Sequence, residues 1–116
     1  MSETKIIVSK GDVTRIRFVD ENLIDETVIR QVGNEIQTVI EVETTPKILI
    51  SFKGIVHLSS STLGILIKAH NMVREKDGQM HICEVNPQIH EAFVITNLDK
   101  LLHIHKTSEE AMAAFS

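Results

Sequence analysis

The chain of 116 residues has no tryptophan and no tyrosine, and its four phenylalanines hold aromatic content to 3%. Without exposed rings there is no platform on which nucleic-acid bases stack. The formal charge of −4 points the same way, away from nucleic acid as a partner. Cys83 is the single cysteine. It excludes an intrachain disulfide and fits a reducing, cytoplasmic setting. Its place in an apolar run reads as a small core residue rather than a reactive thiol. No apolar run reaches the roughly 18 residues of a membrane helix, so no membrane association is expected. The start, Met1-Ser2-Glu3-Thr4-Lys5, carries an acid and no apolar export core. Repeats, linkers and low-complexity stretches are missing too, so a single domain over residues 1–116 is expected. Neither a Gly-x-x-x-x-Gly-Lys phosphate loop nor a Gly-x-Ser-x-Gly elbow occurs. The expectation is a protein that is not an enzyme and needs no cofactor.

What is present is an alternation of short apolar runs. Residues 5–9 and 13–20 are β-branched, and Lys10-Gly11-Asp12 between them is a hairpin signal. In the second run Ile16 and Phe18 alternate with Arg15, Arg17 and Val19, which leaves one face more polar. Residues 25–42 place Val28, Val32, Ile36, Val39 and Ile40 at helical spacing. Pro46 ends that region, and residues 47–53 read as a central strand, with apolar side chains on both faces. Residues 61–76 predict a helix. One stripe holds Leu63, Leu66, Ile67, His70 and Val73; a second, partly exposed stripe holds Ile65, Ala69 and Met72. Lys76-Asp77-Gly78 stops it. A strand over 80–85, a helix over 87–96 opened by Asn86-Pro87, a strand over Leu101 to Lys106 and a helix over 108–115 complete the chain.

Four consecutive hydroxyl residues, Ser59-Ser60-Ser61-Thr62, fall where the central strand gives way to a helix. Free N–H groups at a helix start favour negative charge. A serine there suits either a capping role or phosphorylation.

The segment Ser59-Ser60-Ser61-Thr62-Leu63-Gly64 resembles the Asp-Ser-Ser/Thr-Gly-Leu-Gly motif of STAS domains of the anti-sigma factor antagonist type. Gly78, Asn86-Pro87, Thr96-Asn97-Leu98-Asp99-Lys100-Leu101 and Glu109-Glu110-Ala111 follow the family's order over nearly the whole chain. The resemblance implies an α/β fold, a STAS-like mixed β-sheet of about four to five strands with about four helices. It implies that Ser60 is the phosphoacceptor and that the partner is an anti-sigma factor with serine kinase activity. Partner contact is then expected at His57, Ser59, Ser61, Thr62, Ile65, Lys68 and Ala69. The family Asp is Ser59 here and the family Gly is Thr62. The alternatives are a STAS scaffold or adaptor that binds without phosphorylation, and a small-ligand-sensing STAS domain.

Six histidines raise the question of a metal. His103 and His105 share a strand face, as do His81 and Cys83. No recognised ligand spacing joins them, and ordinary strand histidines are expected.

Overall fold

A computed structural model of the chain describes residues 3–116; Met1 and Ser2, at the head of the expected 1–116 domain, lie outside the described residues. The elements run β1 (Ile6–Ser9), β2 (Thr14–Phe18), β3 (Asn22–Leu23), α1 (Glu26–Glu41), β4 (Lys47–Ser51), β5 (His57–Leu58) and α2 (Ser60–Glu75). They continue with β6 (Gln79–Cys83), α3 (Pro87–Ile95), α4 (Leu98–Leu101), β7 (His103–His105) and α5 (Ser108–Ala113). The expected mixed sheet is present, with strand order β1-β2-β4-β6-β7. The β1–β2 hairpin is antiparallel, and every later pair in this sheet is parallel.

The pleat sorts side chains by face. Ile6, Ile16, Phe18, Ile48, Ile50, Met80 and Ile82 join Ile36 and Ile40 of α1, Leu66 and Val73 of α2, Ile89 and Phe93 of α3 and Leu98 of α4 in one main core. Val13, Leu49, Cys83 and Ala111 form a second, smaller core under α5. Cys83 is fully buried there, and burial pushes its thiol pKa up, as a structural cysteine's should be.

Local rules account for the joints. Asp25 caps α1 by accepting from Thr27 and Val28 N–H, and Asn86 caps α3 by accepting from Ile89 N–H, with Pro87 at the first helical position. α1 has no basic residue in its last turn. Lys76, which caps the C-terminus of α2, supplies one, its ammonium donating to the carbonyls of Ile40, Glu41 and Glu43. Gly78 matters for closeness rather than for φ: the left-handed residue of that turn is Asp77, and a Cβ on Gly78 would stand 2.2 Å from the Pro46 carbonyl oxygen.

Two expectations are corrected. Leu101 ends the one-turn helix α4 instead of opening a strand; Asn97 at φ 61 turns the chain into it, and Leu98 and Leu102, one turn apart, are both buried. Among the described residues the helices number five, the single turn α4 adding to the four or so expected. The short parallel pair β3–β5 has no counterpart in the sequence reading.

The strand histidines form a stack. His81, only 8% exposed, has Nδ1 2.8 Å from His105 Nε2, with the rings of His103 and Phe115 at 5.2 and 4.5 Å. Among the described residues no group of three potential ligands is placed to hold a metal ion. Burial, and then His105 and His103, push the His81 pKa down to about 4. In the unfolded chain the value is about 6.5, so between these limits the unfolded state binds the extra proton. Stability from this group is therefore full above pH 6.5 and is lost as pH falls to about 4. Thermal melts are expected to fall more steeply with acid over that window in wild type than in His81→Gln. Parallel curves for the two proteins would reject this assignment.

Candidate functional site

The end of β4 builds the site. Phe52 N–H donates to the Cys83 carbonyl, and Ile55 N–H donates to the Phe52 carbonyl, which turns the chain outward through Gly54 at φ 87. Asn86 holds the outer part of this loop by donating to the carbonyls of Ile55 and Val56. The chain then pairs as β5 with β3, where His57 Nδ1 lies 3.0 Å from Asn22 Oδ1. Ser59 N–H donates to the Leu23 carbonyl, and α2 begins at Ser60.

The four hydroxyls have four different fates. Ser59 is the N-cap residue in an extended conformation, yet its side chain accepts no capping bond, and its buried Oγ has no partner among the described residues. Ser60 is exposed, and its hydroxyl is in no hydrogen bond among the described residues. Ser61 is half-buried and donates to Glu26 Oε1 at 3.0 Å. Thr62 is 1% exposed, and its hydroxyl donates to the Leu23 carbonyl at 3.2 Å. A capping role for this run is thus not what the geometry shows.

Ser59→Ala provides a direct check. Removing a true N-cap costs about 1 kcal/mol. Removing a buried hydroxyl that has no partner is near neutral or stabilising, within about 0.5 kcal/mol. Chemical denaturation of Ser59→Ala is expected to give the second value; a loss near the first would show that the hydroxyl caps the helix in solution.

Of the expected contact residues, His57 and Lys68 are exposed, and Ser59, Ser61 and Ile65 are half-buried. Thr62 and Ala69 face the core, at 1% and 3% exposure, because the buried stripe of α2 runs through Thr62, Leu63, Leu66, Ala69, His70 and Val73. Ile67, expected on the same stripe as Leu63 and Leu66, is half-buried and packs against the main core. Ile65 packs on α1 at Gly33, where an added Cβ would lie 3.1 Å from its Cδ1. Lys68 sits with Arg30 on the groove between α1 and α2, a cavity of about 190 Å³.

Sequence reasoning missed Glu26. It lies in the first turn of α1, far from the serines along the chain, and only the fold brings its carboxylate to their turn. The site thus presents an exposed hydroxyl at a helix start whose first N–H groups lack a side-chain cap, with a carboxylate one residue away.

A mixed five-stranded sheet with a serine turn between β5 and α2 is the arrangement the resemblance to STAS domains implies. The chain belongs to the STAS domain family, whose profile matches residues 6–111. An anti-sigma F factor antagonist of Paenibacillus polymyxa is 29% identical over 65 residues, 56% of this chain and 56% of that relative, so the match spans little more than half of its length. An anti-sigma-factor antagonist STAS domain protein of Planctomyces limnophilus is 25% identical, with a TM-score of 0.86 over 99% of this chain and 100% of that one. The Bacillus cell fate determinant SpoIIAA in its phosphorylated form shares the fold at 20% identity, with a TM-score of 0.68 over 93% and 96% of the two chains.

Proposed function

We propose that this chain is an anti-sigma factor antagonist that binds an anti-sigma factor with serine kinase activity and is released by phosphorylation of Ser60. One observation carries the reading. Of the four hydroxyls on the turn, Ser60 alone is both exposed and free of internal hydrogen bonds among the described residues. A kinase needs a hydroxyl it can reach, and a phosphate placed there meets the uncapped start of α2. The matched relatives include anti-sigma factor antagonists, which supports the general role. The departures from the family motif fit as well. Thr62 turns inward, so its side chain does not stand between Ser60 and a partner. The acid absent at Ser59 has a spatial substitute in Glu26, which reaches the same turn through Ser61.

In this reading the protein has no catalytic role: the partner supplies ATP and the phosphoryl-transfer machinery, and this chain supplies the acceptor. It acts in the cytoplasm, where sigma factors act. The test is mass spectrometry of the protein isolated from its host, alongside Ser60→Ala. A phosphate confined to Ser60 and absent from the variant is expected. Host material that carries no phosphate under any growth condition, yet still co-purifies with a partner, would replace the switch with a constitutive scaffold.

A further inference from the structure

The helices leave part of the sheet bare. α5 packs on β4, β6 and β7, on the face opposite the main core. Over β1 and β2 that face is open, and Ile7, Arg15 and Arg17 are exposed on it. Beside α5 this open face forms a cavity of about 320 Å³. Arg15 and Arg17 of β2, Lys53 just beyond β4 and Glu84 just beyond β6 supply its charged lining, with Ser9 and Ser51 among its hydroxyls.

The charge arrangement is not explained by folding. Arg15 and Arg17 are two positions apart on one strand, so their side chains share a face with Cα atoms roughly 7 Å apart. Arg15 lies opposite Ser9 on one side and Leu49 on the other. Among the described residues neither guanidinium nor the Lys53 ammonium enters an ion pair; the pair found is Lys5–Asp20. Glu84 Oε1 accepts from Ser108 N–H at 3.3 Å at the edge of the same cavity. Three cations thus face one carboxylate, a local excess of positive charge in a chain whose formal charge is −4. Like charges gathered on one concave surface repel each other, and a strand gains nothing from them that Thr or Val would not supply.

The geometry points to a binding site for a small, soluble phosphorylated ligand, held by Arg15, Arg17 and Lys53. Guanidinium forks match phosphate oxygens in pairs, and the lysine adds a point charge. The volume lies in the roughly 300–1,000 Å³ range of small-molecule sites. The cavity also reaches the carboxyl ends of the parallel strands β4 and β6, where open α/β sheets take ligands. This site is on the opposite side of the sheet from the core under α2, and it is independent of the role proposed for Ser60.

Titration of the isotope-labelled chain with inorganic pyrophosphate at low salt, followed by amide NMR, tests the assignment. Saturable shifts are expected around Ser9, Arg15, Arg17, Ser51, Lys53 and Ser108. Affinity should fall about tenfold or more in Arg15→Gln/Arg17→Gln, since charge-assisted hydrogen bonds are lost. Arg30→Gln/Lys68→Gln, which changes as much charge in the α1–α2 groove, should bind as wild type does. If the β2 double variant loses its dispersed spectrum, Lys53→Gln, in an exposed turn, must weaken binding instead. Shifts that do not saturate, or a folded β2 double variant with unchanged affinity, would overturn the site. So would co-sedimentation with phosphatidylglycerol vesicles in the absence of saturable pyrophosphate binding, since the patch would then belong to a membrane surface.

Discussion

Phe52→Ala is expected to destabilise the protein by about 3–5 kcal/mol. Phe52 is 1% exposed, and its ring makes edge contacts with Phe18 at 5.2 Å and Phe93 at 6.2 Å between centroids. Those two rings come from β2 and α3, so this one side chain ties the hairpin, the central strand and a helix together. Alanine would remove the contacts and leave a void that neighbours anchored in strands and helices fill poorly. A domain of this size has about 5–15 kcal/mol in total, so the loss is a large share of it. The melting temperature should fall on the order of 10–20 °C. Phe52→Leu keeps most of the volume and should cost about 1–1.5 kcal/mol. The substitution also bears on the site, because Phe52 carries the carbonyl that holds Ile55 and starts the loop toward Ser60. Differential scanning calorimetry on both variants decides the matter. A fall of only a few degrees for Phe52→Ala would mean that the aromatic cluster is not the keystone its contacts imply.

The fold was legible where a period was long enough to be seen. α1 repeats apolar residues at helical spacing along its length, β1 and β2 are β-branched runs joined by a hairpin signal, and β4 is apolar on both faces; all appear close to where expected. The missing elements are those too short to have a period. β3 and β5 are two residues each, and their pairing joins segments far apart along the chain. α4 is a single turn, set by Asn97 in a left-handed conformation, and nothing in Leu101-Leu102-His103-Ile104 distinguishes a helix end from a strand start. On α2 the expected stripe holds at Leu63, Leu66, His70 and Val73, and Ile67 packs at its margin. Thr62 and Ala69 join it although they are polar or small, because the stripe follows spacing and not hydrophobicity. At the site, the motif located the turn and Ser60. Which hydroxyl is free, and that Glu26 stands beside them, depends on contacts between distant segments. No local pattern carries that information.

Phosphorylation of Ser60 is expected to weaken partner binding at least tenfold while leaving the domain folded, and the two effects have separate causes. Within the domain, a phosphate brings a charge of roughly −1.5 to −2 to the first residue of α2. The uncapped N–H groups and the helix dipole favour it by about 0.3–1 kcal/mol. Glu26, held one residue away through Ser61, opposes it by like-charge repulsion that solvent largely screens at an exposed site. The net change in stability should therefore stay within about 1 kcal/mol. Glu26→Gln should shift the phosphorylated form toward higher stability and leave the unphosphorylated form nearly unchanged. In the complex the balance is different. A partner packed on this turn excludes water, so the phosphate must be desolvated or the contact broken, and any acid the partner presents costs several kcal/mol more. Ser60→Ala should bind as wild type does, and Ser60→Asp, with less charge and bulk than phosphoserine, should lose part of the affinity. Titration calorimetry with the cognate anti-sigma factor, on protein phosphorylated by that same partner, measures the binding side. Calorimetric melts of the two forms measure the stability side. A phosphorylated protein that binds undiminished defeats the switch. One that unfolds shows instead that Ser60 is structural, which its exposure and its lack of hydrogen bonds among the described residues argue against.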